Sequence, residues 1–146
     1  HIEWPIVIML AAMIPIGQAL ESTGITALIA TEVVSFAGDL HIFWILMIIL
    51  IITMLITDVI NNAATAVIMA PFSVNIALQL GQPLEPFLMV VAVGASCAFL
   101  TPIGHQCNTL VMGPGNYKFS DYWRLGLPLD ILIVLASIPM ILFVWL

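Results

Sequence analysis

Two polar strings cut through segments that are otherwise built for hydrocarbon. The first, residues 57–65 (TDVINNAAT), lies between the apolar run 42–56 and a second run, 66–80. The second, residues 101–109 (TPIGHQCNT), interrupts what would otherwise be one helix over 87–112. A backbone N–H or C=O left unpaired in lipid costs several kcal/mol, so irregular backbone at membrane depth survives only inside protein or beside water. A chain with two such interruptions has few ways to fold.

Lipid is the expected surroundings. Of 146 residues, 63% are hydrophobic and 7% charged, against about 25% charged in a soluble domain. The fold class expected is all-α and integral to the membrane. Two basic against eight acidic residues give a net charge of −6, which excludes a phosphate-neutralising surface, so no nucleic acid partner is expected. Cys97 and Cys107 are read as small buried residues rather than a disulfide. The chain opens on His1 and runs at once into apolar sequence, which is read as the C-terminal part of a longer protein.

A spanning helix needs about 20 mostly apolar residues. The first is expected over 4–22, despite Pro5 and Pro15. Residues 25–37 mix apolar positions with Thr26, Thr31, Glu32 and Ser35 and suit a helix lying in the interface. Over 41–80 two arrangements fit: a full crossing with Asn61-Asn62 in a connecting loop, or a re-entrant helical hairpin that turns at membrane depth. A broken transmembrane helix is expected over 86–113. The segment 116–125 carries Tyr117, Tyr122 and Trp123 with the two basic residues, Lys118 and Arg124. It reads as interfacial, with Ser120 as helix N-cap, and the positive-inside rule puts it in the cytoplasm. A final transmembrane helix follows over 127–146.

Broken helices present N–H groups to anions and free carbonyls to sodium. Asn, Thr and Ser suit both tasks, and neither break holds a Lys or Arg. Asp58 has two readings, an ion or proton carrier or a cap on the helix behind the turn. His105 reads as a structural hydrogen-bonding residue. With Cys107 it falls short of the three or four ligands of a zinc site. An intramembrane enzyme is disfavoured, because Ser96 and Cys97 have no evident base nearby in sequence.

The strings ITDVINNAATAVIMAP (56–71) and LTPIGHQCNTLVMGPGNYKFSDYWRLGLPL (100–129) resemble the divalent anion/sodium symporter family, and the TPIG, GPG and GLPL elements its sulfate-type branch. The resemblance implies the C-terminal inverted-repeat half of a multi-pass cell-membrane protein (the inner membrane in a bacterium), with the re-entrant hairpin over 41–80. It implies sodium-coupled, elevator-type transport of a divalent anion, sulfate first and a dicarboxylate as the alternative. A proton-coupled carrier using Asp58 is the alternative of another class. The implied partners are the anion, Na⁺ as coupling ion, membrane lipid, the N-terminal half of the same transporter and a second copy in a homodimer. No cofactor is implied. A Ser-Asn-Thr motif of the family falls on Asn61, Asn62 and Ala63, which with Thr101 and Pro102 form the implied anion-binding set. The implied sodium ligands are Thr57, the Ile60 carbonyl, Asn62 and the Leu100 carbonyl.

Overall fold

The computed structural model describes residues 40–146 continuously, together with residues 11, 15, 19, 22–24, 28, 31, 32 and 35. The helices expected over 4–22 and 25–37 fall on segments outside the continuously described residues.

Among the described residues every regular element is helical. Helix α1 is Ile42–Thr57 and α2 is Asn62–Gln79. Helix α3 is Leu84–Ala95, α4 is Gln106–Met112 and α5 is Phe119–Trp145. The first two starts have a local cause. The His41 Nδ1 accepts the Phe43 N–H at 3.3 Å, and the Asn61 Oδ1 accepts the Ala64 N–H at 2.9 Å. Both satisfy donors that a helix start leaves unpaired.

The last helix differs from its expected shape. The aromatic segment and the final span are one continuous helix of 27 residues, about 40 Å at 1.5 Å per residue. Its N-cap is Lys118 rather than Ser120, and the Lys118 N–H donates to the Asp121 carboxylate at 2.8 Å. An acid at the third helical position outcompetes the hydroxyl because it reaches back to the cap's own N–H. At this length α5 exceeds a hydrocarbon core of about 30 Å, and its aromatic end is left to reach the interface. Pro128 and Pro139 lie within α5, each removing one ladder donor.

Helix α3 packs against both α1 and α2, and α5 closes on α3 and α1. Phe87, Val90 and Val91 of α3 meet Leu46, Ile49 and Leu50 of α1 and Ile76 and Ala77 of α2 in one buried cluster, which Ile138 and Ile141 of α5 complete. The opposite side of α5 is bare hydrocarbon, with Leu135, Met140 and Phe143 exposed. Helix α5 is the one described helix long and apolar enough to cross a membrane. At 16 and 12 residues, α1 and α3 rise about 24 Å and 18 Å and fall short of a full crossing.

Helix α5 approaches the break through Gly126. A Cβ there would run into the Phe99 carbonyl oxygen, which is backbone and cannot step aside. Gly113, by contrast, has open space around it. Gly126→Val in the full-length protein is therefore expected to lower the melting temperature in detergent, and Gly113→Ala to leave it nearly unchanged. Equal melting of both variants and wild type would show that this approach does not hold α5 in place.

Candidate functional site

Both polar strings end helices, and the fold brings them together. Helix α1 stops at Thr57 and the chain turns through residues 58–61 into α2. Helix α3 stops at Ala95, and residues 96–105 run irregularly before α4. Asp58, at the tip of the turn, is 3% exposed. Its Oδ1 accepts the Leu100 N–H at 2.9 Å, and its backbone carbonyl accepts the Thr101 hydroxyl at 2.6 Å. Side chain and backbone of one residue thus tie the tip to the break at two points. Gly104 makes the fit possible: a Cβ there would lie 2.9 Å from Asp58 Cα and 2.9 Å from the Thr57 carbonyl oxygen.

The break is organised by its own side chains. The Thr101 hydroxyl, besides donating to Asp58, accepts the N–H groups of Ile103 and Gly104 at 3.2 and 3.1 Å. The Asn108 Nδ2 donates to the carbonyls of Ala98 and Thr101 at 2.8 and 3.2 Å. Thr109 donates to the Pro102 carbonyl. The Tyr122 hydroxyl of α5 donates to the Asn108 carbonyl at 2.7 Å, so the last helix also grips the break. His105 caps α4, its Nδ1 accepting the Cys107 N–H at 3.2 Å. That is the structural role read for it. Cys97 is buried, but Cys107 is exposed, against the expectation that both are buried, and both thiols are free.

The residues implied as sodium ligands divide. The Thr57 hydroxyl lies 3.0 Å from the Asn62 Oδ1 and 3.0 Å from the Ala95 carbonyl oxygen. A hydroxyl has one hydrogen and serves one acceptor at a time. Two acceptor oxygens therefore share the one proton of the Thr57 hydroxyl, where α1 ends, α2 begins and α3 stops. Thr57 is fully buried and Asn62 half-buried. Ile60 sits exposed in the turn. Leu100 is held through its N–H, by Asp58. The Ala95 carbonyl was outside the expected set, whose carbonyls were those of Ile60 and Leu100.

The residues implied for the anion divide too. Asn61 uses its side-chain oxygen to cap α2. Ala63 and Asn62 occupy the first turn of α2, where helix N–H groups lack partners and favour negative charge. A residue with no polar side chain can serve an anion there through its backbone. The Thr101 hydroxyl is engaged in tying tip to break, and Pro102 is buried. Asp58 does not cap the helix behind the turn, because Asn61 does.

One acid escapes the sequence reading. Asp130, inside α5, is 7% exposed, and its Oδ1 has no hydrogen-bond partner. An acid within an apolar span is itself a signal.

Among the described residues every regular element is helical and one helix is long and apolar enough to cross a membrane, and the proteins that the chain resembles are described as transporters, not enzymes. Consistent with that, the chain belongs to the citrate transporter family, which it matches over residues 1–146, and its relatives join it to the divalent anion/sodium symporter type of permease. It is 37% identical over 144 residues to an uncharacterized transporter of Synechocystis, covering 99% of this chain and 24% of that protein. It is 40% identical over 140 residues to the uncharacterized transporter YfbS of Escherichia coli, covering 96% and 23%. It is 28% identical over 137 residues to sodium/sulfate cotransporter 2 of Chlamydomonas reinhardtii, covering 93% and 16%. The chain thus spans about a quarter of the length of the first two relatives.

The tie at Asp58 predicts an order of stabilities in the full-length protein. Asp58→Asn keeps an acceptor for the Leu100 N–H, whereas Asp58→Ala orphans it, at about 1–3 kcal/mol. Thermal melting in detergent should therefore rank Asp58→Ala below Asp58→Asn. The reverse order would remove this hydrogen bond as the tie.

Proposed function

We propose that this chain forms the C-terminal half of the transport domain in a sodium-coupled divalent-anion symporter, with sulfate as the substrate. The observation that carries the reading is the meeting of three oxygens, of Thr57, Asn62 and the Ala95 carbonyl, with one proton between them, that of Thr57. A hard monovalent cation among these oxygens relieves their mutual repulsion, as oxygen ligands do for hard cations generally. Thr57 and Asn62 of the implied sodium set meet there, and the Ile60 and Leu100 carbonyls complete the proposed shell. The anion sits against the first turn of α2, at Asn61, Asn62 and Ala63, with the break at Thr101 and Pro102 as the facing wall. No Lys or Arg lies in either string, so helix N–H groups, amides and the bound cation hold the charge. The sodium/sulfate names of the Chlamydomonas relatives support the choice of ion and substrate.

A second reading has its own support. The matched family is described as a citrate transporter, and a carboxylate offers the same oxyanion chemistry to the same N–H groups. Uptake of labelled sulfate and citrate by the full-length protein, with sodium and with choline at fixed pH, separates the two. Uptake of either without sodium dependence would move the coupling ion to the proton.

The tip of the turn is proposed to lie at membrane depth, making 41–80 a re-entrant hairpin. Helix α1 is short for a crossing, and Thr57 and Asp58 are buried against the break rather than presented to water. The remaining half of the site comes from the N-terminal repeat of the same transporter, in a homodimer that moves its transport domains by an elevator motion, with Lys118 and Arg124 on the cytoplasmic side. Single cysteines at positions 41 and 81 should then react with an impermeant reagent from the same face of the membrane. Labelling from opposite faces would replace the hairpin by a full crossing.

Asn62 is the sharpest test of the cation reading. Removing a charge-assisted contact costs about 1.5–3 kcal/mol, or roughly ten- to a hundredfold in affinity. Asn62→Ala should shift the sodium-activation curve of uptake to higher sodium by that factor, at normal expression. An unshifted curve would take Asn62 out of the ion's shell.

A further inference from the structure

One buried acid in the wall of a cavity lacks a partner. Asp130 of α5 is 7% exposed, and its Oδ1 has no hydrogen-bond partner. It lines a cavity of about 260 Å³ between α1, α5 and the break. The wall is otherwise hydrocarbon, with Ile51 and Met54 of α1, Leu100 of the break and Val134 of α5. Asp130 is the one polar side chain among the described residues of that wall. Leu55 and Leu135, also in the wall, are exposed, so the cavity opens to the surface. Lys118 and Arg124, the basic residues of the chain, are both exposed, and neither lines the cavity.

A carboxylate taken out of water with neither a counter-charge nor a donor is costly. A bare metal ion would find one carboxylate here and no other oxygen-bearing side chain, too few ligands for a hard cation. An amphipathic amine supplies what is missing at both ends. Its ammonium group brings Asp130 a charge and donors, and its hydrocarbon body matches the wall. Small-molecule sites have this composition, mostly apolar with a few placed polar groups. A dry cavity of about 150 Å³ takes benzene, so this one has room for an aromatic ring with a short amine arm. We propose that the cavity is a binding site for a small lipophilic amine, with the Asp130 carboxylate holding the ammonium group. The occupant touches α1, Leu100 and α5 together, and Leu100 is the residue whose N–H the Asp58 carboxylate holds. A bound amine thus fastens the last helix to the break. Thr57, Asn62 and Ala95 do not line the cavity, so the site is distinct from the cation cluster and needs no particular coupling ion.

The probe is phenethylamine, titrated by calorimetry into the purified full-length transporter in sodium-free potassium chloride. The control is hydrocinnamate, a body of like size that bears a carboxylate instead. Wild type should bind the amine saturably and hydrocinnamate not at all. Asp130→Asn keeps the shape of the wall but loses its charge, and should weaken amine binding roughly ten- to a hundredfold. Equal binding by wild type and Asp130→Asn, or hydrocinnamate binding as well as the amine, overturns the site and leaves only partition into detergent. No saturable binding by wild type overturns it as well, the cavity then being filled by another part of the transporter. If Asp130→Asn does not fold, Val134→Phe decides. Its ring occupies the cavity and should abolish amine binding, and unchanged binding overturns the site.

Discussion

The paired bonds at Asp58 are the constraint on which the rest depends. One residue accepts the Leu100 N–H with its side chain and the Thr101 hydroxyl with its backbone. These bonds join segments more than forty residues apart. Each bond satisfies a group that a broken helix leaves open, and such a group is costly when buried without a partner. With the Thr57 hydroxyl on the Ala95 carbonyl and the packing of α3 on α1, they set where the end of α1 meets the break, and so where the oxygens of Thr57, Asn62 and Ala95 come together. Gly104 and Gly126 follow from the same constraint. One lets the break lie against the tip and the other lets α5 lie against the break.

This arrangement separates scaffold from chemistry within a few residues. Thr101, Asn108 and Tyr122 hold the shape of the break through hydrogen bonds among themselves and to Asp58. Thr57, Asn62 and the first turn of α2 are the part proposed to meet solutes. The apolar cluster of α1, α2, α3 and α5 supports both from behind. A body held at so many points can move as a unit, as the proposed elevator motion requires.

Much of this was legible in the sequence, and the residues explain where legibility ended. The two polar strings stand out because amides and Thr sit within apolar runs, and both became helix breaks. Pairing of the two breaks has no local signal, since it depends on which backbone groups each break frees. For the same reason the sequence does not show that Thr101 also ties the break to the tip, nor that the Ala95 carbonyl meets Thr57. Ser120 looks like a cap until Asp121 reaches back to Lys118. Asp130 is hidden by the apolar run around it, although its charge alone was a sufficient signal.

The tip of the turn and the break are proposed to act as one cation site. The most direct test is a pair of high-resolution density maps of the full-length protein, one in sodium chloride and one in choline chloride. The account predicts a density feature among Thr57 Oγ1, Asn62 Oδ1 and the Ala95 carbonyl oxygen in sodium that is missing in choline. Identical maps at these three oxygens, in protein that transports with sodium, would contradict it.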